Sequence, residues 1–585
     1  MHRLVQDYLI YVALAVGVFF GTSETVLAAR STFSPKSSGH LTVTPIPESM
    51  ISKIQIALRK IGIYRGPIDG RVNNETKQAV RKYQKMHGLK VNGNISKSLA
   101  NLLDTGSRVD TLLKQIDRAR KNNIQTAREA LLNNPETKHL LKDNSDDRAN
   151  PVRDSKSCFK KPTAKCLLFE AAESAKSIYK KEMRDWALGE LLVAQTMAGL
   201  INEAMITTRR IHDPRLIVVA LRNIAEAQAI AQRDEEALAA TKIIPDPLGR
   251  SEAYIAIAEI QAKHKGDGND RILLTIKLLH SDLKKIKDPL KQLYFLTRAA
   301  TALSNAGHQK KAQLYLQEAS ELAKHKLSAR TYQTALRYIA IAFADLGLPN
   351  EALALLKEVK GKAERTPVLV RTATAQARAG KAMSAITTAT DIKTLRYRAV
   401  VLSQIAESLA KQKHTVQAWR TIHLAIDAAQ DIKLPFAHSF AFSGITRALT
   451  KIGAAEGKTS RAFSKAKEII KKVRDGRLRA HGLWVITAEQ RRAGTFTKAE
   501  ETQHQAENET DEIKSHLSRI WMLSDVAESH LKNDEKAAAR AVLKKAIKSA
   551  RLITNAWERT RALAKVAVLW LTIRTNGFQT ALNIP

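Results

Sequence analysis

Tyr64, Arg65, Asp69, Arg71 and Asn73 lie close together on a turn expected between two short helices. Arginine offers paired donors for a carboxylate, aspartate and asparagine accept from amides, and tyrosine brings a hydroxyl. Such a set holds a ligand through its carboxylates and amides and is not equipped to cleave one. Each residue also has a structural use: Asp69 can bond the amides of its own turn, and Asn73 can cap the following helix. Tyr83 and Gln84, further on, fit packing better than contact.

No set of residues assembles a reaction. Ser-x-x-Lys occurs at Ser177/Lys180, Ser281/Lys284 and Ser464/Lys467, without the Lys-Thr-Gly partner that acyl transfer of this type requires. The histidines include no His-Glu-x-x-His pair, so a zinc peptidase is disfavoured. Gly453 to Ser460, GAAEGKTS, has one residue too few between its glycines for a phosphate loop and no preceding strand. Cys158 and Cys166 are the only cysteines. They suit a small disulfide loop contributing about 2.5 kcal/mol on a chain-entropy basis, and they lack the additional ligands of a metal site. The chain is therefore expected to have no catalytic residue, metal or cofactor.

The elements that position the turn are marked by glycines. Gly62, Gly66, Gly70, Gly88 and Gly93 each end an apolar periodic run, and Thr76, Ala79, Val80 and Tyr83 recur at helical spacing between them. Leu58, Gly62, Gly66, Asp69, Gly70, Thr76, Ala79, Val80, Gln84, Gly88, Leu89 and Gly93 follow a pattern that resembles the small three-helix peptidoglycan-binding module of cell-wall enzymes and envelope proteins. The resemblance spans residues 48–104 and implies peptidoglycan as the ligand. Asn73, Asn92, Ser96 and Leu99 depart from the family pattern. Asparagine tolerates left-handed backbone, so the turns are expected to survive.

Upstream, Arg3, an apolar run from Tyr8 to Phe20, and small residues at Ala28 and Ala29 read as a signal peptide over 1–29. The run is too short for a span of roughly 20 residues. Export to the periplasm or bacterial cell envelope is thus expected, with residues 30–47 as a linker. The net charge of +38 would suggest nucleic acid in a cytosolic protein. Outside the cytoplasm it points to anionic envelope polymers or a membrane surface, with solvated lysine-rich faces as the plain alternative.

Residues 105–141 read as a helical connector, with Leu112, Leu113 and Ile116 on one face. The polar stretch 142–157 reads as a disordered linker. From 158 to 585 a pattern recurs: an apolar anchor, a turn eight positions on, and alanine at thirteen. Leu191 leads to Ala204, Ile224 to Ala237, Ala299 to Ala312, Ile339 to Ala352, Ile405 to Ala418, Ile486 to Ala499, and Val526 to Ala539. Gly199, Gly307, Gly347, Gly380 and Gly494 occupy the turn. Each unit is a helical hairpin with alanine at the crossing. The skeleton resembles degenerate tetratricopeptide-like repeats.

Spacings of 33 and 40 place the extra residues in the second helix of the long units, for example Gln309 to Lys324. Polar loops are expected at 265–270 and 453–460. The fold expected is all-α, a three-helix bundle followed by an α-solenoid of helical hairpins. It suits a wall-bound scaffold for unidentified protein partners, with no nucleic acid. The alternatives are a wall-active enzyme, or its regulator, with an unrecognised site in the repeats, and a basic adaptor for acidic partners.

Overall fold

A computed structural model describes residues 47–141, 148–150, 152–264, 268–457 and 461–574. The expected signal peptide lies outside the described residues, as does nearly all of the linker after it. Among the described residues every regular element is a helix, and none is long and apolar enough to cross a membrane. They fall into two compact units, 47–129 and 130–574.

The first unit contains helices Glu48–Lys60 and Asn74–Met86 and, up to residue 129, helix Lys97–Asn133. Ile54, Leu58, Tyr64, Ala79, Val80, Tyr83, Leu99 and Leu103 form its core. The connector expected from 105 is not a separate element: the third helix runs on through it, because no proline or glycine pair interrupts residues 97–133 and the sequence is rich in good helix formers. Val109, Leu112, Leu113 and Ile116 stay exposed along it.

The polar stretch 142–157 is only partly a linker. Asp154 caps a short helix, Ser155–Lys160, accepting from Lys156 N. Arg153 pairs with Glu170 at 3.1 Å, and Asn150 N donates to Glu173. Residues 142–147 and 151 lie outside the described set. Cys158 and Cys166 are joined, with their Cα atoms 5.8 Å apart.

In the second unit, hairpins repeat from Lys181 onward. The anchor and plus-thirteen residues meet in the buried seam of each: Leu191, Ala204, Ala237, Ala299, Ala312, Ala352, Ala418, Ile486, Ala499 and Ala539 are all fully buried. The plus-eight residue is left-handed in every one of these units. Glycine takes it at Gly199, Gly307, Gly347, Gly380 and Gly494, with φ between 74° and 88°. Gln232, Lys413 and Asp534 are forced into the same conformation at φ 60°, 64° and 57°. Several first helices start on an Asp cap followed by proline: Asp213–Pro214, Asp246–Pro247 and Asp288–Pro289.

Second helices come in two sizes. Ile201–Arg209, Asp234–Ile243, Pro349–Leu356 and Ala382–Thr390 have 8 to 10 residues. Gln309–Lys326, Thr415–Gln430, Phe496–Asp511 and Lys536–Arg551 have 16 to 18. The two expected polar loops are helical over part of their length. Residues 268–270 begin helix Gly268–Leu283, and 453–456 extend helix Pro435–Glu456, whose Gly453 and Ile452 are buried. The remainder of each segment includes residues outside the described set.

The first helices of the hairpins form an inner layer, each packed against the next: Lys181–Met197, Pro214–Ile230, Pro247–Gln261, Pro289–Asn305, Ala329–Asp345, Lys362–Arg378, Leu395–Lys411, Pro435–Glu456, Gly476–Arg492 and His516–Lys532. The last described helix, Ala556–Arg574, then packs on His516–Lys532, on Lys181–Met197 and on Ala164–Lys176. The solenoid therefore closes on itself. Its final hairpin pairs the last helix with one that precedes the first inner helix.

Closure has specific contacts. Thr560 Oγ1 reaches Ala171 O at 3.3 Å, and Arg561 forms two bonds of 2.7 and 2.8 Å with Glu190. Leu563, Val566 and Ala567 share one continuous core with Leu167, Leu168, Ala171 and Leu188. An array normally needs polar caps on exposed ends, whereas here each end covers the other.

Candidate functional site

The geometry of the glycine-marked turn is organised from below by Gln55, a fully buried side chain on the first helix. Its Oε1 accepts from Gly70 N at 3.0 Å. Its Nε2 lies 2.9 Å from Asp69 Oδ1, 3.0 Å from Arg71 O and 3.3 Å from both Tyr64 Oη and Thr76 Oγ1. Asp69 Oδ1 also accepts from Arg71 N at 2.9 Å. The Gln55 amide, followed by the Arg71 N–H, holds the Asp69 carboxyl below its ordinary range.

Glycine is required twice here. Gly70 has φ +72°, and a Cβ on it would stand 2.9 Å from Glu48 O. A Cβ on Gly66 would stand 2.2 Å from Glu75 Oε2 and 2.7 Å from the Tyr64 hydroxyl.

The second turn repeats this device. Gln84 Oε1 accepts from Asn92 N at 3.0 Å and Gly93 N at 2.9 Å, while its Nε2 donates to Asn92 Oδ1 at 2.9 Å. Asn92 Oδ1 in turn accepts from Asn94 N. Asn92 thus does what Asp69 does, since only an acceptor oxygen is needed, and the departure from the family pattern leaves the turn intact. Nothing in the spacing signals the duplication, because the glutamine stands 15 positions before its glycine in one case and 9 in the other.

The five candidate residues separate accordingly. Tyr64 is corrected from exposed to buried: it is 2% exposed, in the core, with its hydroxyl donating to Pro67 O at 2.6 Å. Its hydroxyl also accepts from Gln55 Nε2, so the ring is held inward by the buried glutamine. Asp69 is exposed but engaged in its turn, and Asn73 caps the second helix through Thr76 N at 2.8 Å. Arg65 and Arg71 are exposed on the same turn, beside the exposed apolar residues Ile68 and Val72. The open surface of the turn is cationic and apolar, fit for a ligand with a carboxylate and a short aliphatic part.

The second unit accounts for part of the basic excess structurally. In the first turn of five inner helices, Arg250, Arg365, Arg398, Arg479 and Arg519 donate to the carbonyl six residues earlier, on Ile244, Val359, Ile392, Val473 and Ile513, at 2.8 to 3.1 Å. Gln292 does the same to Ile286 O. These side chains tie the inner helix to the chain that leaves the preceding outer one. Ion pairs then link neighbouring inner helices: Arg222–Glu252, Arg298–Glu259, Arg337–Glu364, Arg371–Asp345, Arg447–Glu407 and Lys451–Glu489.

Another set of cations has no such use. Lys287, Lys360, Lys393, Lys433, Arg474 and Lys514 each follow the buried or half-buried isoleucine or valine of a connection, and each is exposed. Because the inner helices all run the same way, these connections share one face of the unit. Cations just ahead of a helix N-terminus oppose its dipole, so the fold gains nothing from them.

A crystal structure of Ton1535 from Thermococcus onnurineus NA1 aligns at 16% identity over 57% of this chain and 97% of that one, with a TM-score of 0.27. No curated protein matches the chain. Residues 47–103, which hold both glutamine-organised turns, match the family model described as "Putative peptidoglycan binding domain".

Proposed function

We propose that this chain is an exported cell-envelope protein that binds peptidoglycan through residues 47–103 and uses its closed array of tetratricopeptide-like hairpins as a non-catalytic scaffold for protein partners. The observation that carries the reading is the family match over a segment whose two turns are each held by a glutamine against one core. Arg65 and Arg71 are the contact residues we favour, through salt-bridged carboxylates of the stem peptide. The row from Lys287 to Lys514 supports a second, weaker attachment to anionic envelope polymers.

The test is cosedimentation of the full chain with purified sacculi at physiological ionic strength. The wild type is expected in the pellet, with an R65A/R71A variant left largely in the supernatant. A folded wild-type chain that stays in the supernatant would sink the wall claim.

A further inference from the structure

The seam where the array closes gathers three of the chain's six tryptophans around one arginine. The guanidinium carbon of Arg561 stands 4.6 Å from the ring centre of Trp186, 4.5 Å from Trp557 and 5.3 Å from Trp521. Trp186 and Trp557 meet edge to face at 5.3 Å. His481, Trp521, Arg561 and Trp186 occupy the same position on four consecutive inner helices, five residues before the anchor, so they form one row along the inner wall. One turn further on, Asp525 is exposed and Glu190 is bound to Arg561.

Locking the seam explains Arg561 and Trp557. It explains one face of Trp186, which is backed by the guanidinium, but leaves that indole 54% exposed. The other tryptophans are committed differently: Trp419 and Trp484 donate their indole N–H to Glu456 and Thr510 at 2.7 and 3.0 Å, and Trp570, on the closing helix, is buried. An open indole face with the paired Arg561 and Glu190 beside it, Lys565 Nζ 5.6 Å from the Trp521 ring and the exposed Asp525 on that ring's helix, suits a ligand with flat C–H faces and hydroxyl or amide groups.

We propose that the seam is a carbohydrate subsite that takes the glycan of peptidoglycan, with Trp186 stacking on a pyranose ring and Asp525 and Glu190 accepting from its hydroxyl and amide groups. The identity of the polymer rests on the envelope reading above; the carbohydrate chemistry does not.

The experiment titrates the full chain with a soluble N-acetylglucosamine oligomer, which is uncharged and carries no stem peptide, in high salt. Intrinsic fluorescence and calorimetry report binding. W186A is expected to weaken binding about tenfold, as an exposed aromatic anchor does. D525N is expected to weaken it without lowering the melting temperature, a separation that a purely structural role would not give. W419F, remote from the seam, should bind as the wild type does. Should W186A unfold the seam, D525N and W186F decide the matter.

Absence of binding at millimolar oligomer, or wild-type affinity in both W186A and D525N, overturns the proposal. Sacculus binding without oligomer binding would remove the subsite alone. Oligomer binding that depends on Trp186, without sacculus binding, would remove the wall reading and leave the subsite standing.

Discussion

If the array closes, residues 371 positions apart must be energetically coupled, and Arg561 with Glu190 gives the direct measure. Their side chains are 11% and 29% exposed and share two short bonds. A charge-assisted bond is worth roughly 1.5–3 kcal/mol when buried, and the partial exposure of Glu190 lowers that, so a coupling of about 1.5 kcal/mol is expected. R561A alone should cost more, about 3 kcal/mol, because it also removes the contacts with Trp186 and Trp557, each worth roughly 0.5–1 kcal/mol. E190A should cost about 2 kcal/mol, leaving the arginine stacked but unpaired. Global unfolding is a poor assay, since repeat arrays need not unfold in one step. Native-state hydrogen exchange in Ala556–Arg574 and Ala164–Lys176 reads the local opening free energy instead. Both helices should lose protection together in each single variant, and the double variant should fall short of the sum. Strict additivity, or loss of protection in the last helix alone, would refute closure.

Lys413 is left-handed at φ 64° where five sister units have glycine, so K413G should stabilise its hairpin by about 0.5–1 kcal/mol, measured by local hydrogen exchange. A neutral or destabilising result would mean the turn carries no strain. Q55L strands the buried Gly70 N–H and loosens the Asp69 turn, which should cost the first unit about 2–4 kcal/mol and open it to limited proteolysis; unchanged cleavage would contradict the hub role. Burial would raise the Glu407 pKa, but Arg447 and Lys411 override it and hold it at about 2. A folded pKa below the unfolded one stabilises above about pH 4.5 and loses that contribution as pH falls toward 2, so E407Q should destabilise by about 2 kcal/mol at pH 7 and by much less at pH 2.5. Equal effects at both pH values would show that the carboxylate's charge is irrelevant. C158S should cost about 2 kcal/mol and lower the protection of Ser155–Lys160; no change would mean the bridge restrains nothing that folding needs.

Local regularities were legible in the sequence because each is set by a few neighbouring residues. Anchor, plus-eight turn and plus-thirteen alanine describe one hairpin, and the hairpin obeys them even where Gln232, Lys413 and Asp534 replace glycine. The extra residues of the long units fall in helices such as Gln309–Lys326 for the same reason. Closure was not legible, since the contacts of Thr560 with Ala171 and of Arg561 with Glu190 leave no trace in spacing and an open array would show the same repeats. The arginine six residues after a buried isoleucine or valine was legible in principle, as at Ile392 and Arg398, but reads as surface charge until the carbonyl it serves is seen. Tyr64 looked exposed because it sits among turn residues, and its ring turns inward for a reason held by Gln55 and Gly66, not by its neighbours in sequence.

Closure also divides the chain's attractions by chemistry. The inner layer neutralises much of its own charge through pairs such as Arg298–Glu259 and Arg447–Glu407, so the field of a +38 chain is presented elsewhere. The exposed row from Lys287 to Arg474 and Lys514 lies on the face of the connections, while the exposed indole of Trp186 lies on the inner wall. Attraction by the row is long-ranged and fades once salt shortens the screening length to a few ångströms at about 1 M. Stacking on Trp186 buries apolar surface and is insensitive to that screening. A partner held by the row must therefore be released by salt, and a glycan held at the seam must not. One salt series on the same preparation, with an anionic polymer and an uncharged oligosaccharide as parallel ligands, separates the two surfaces. Identical salt curves for both ligands would mean that a single charged surface accounts for everything the ring binds.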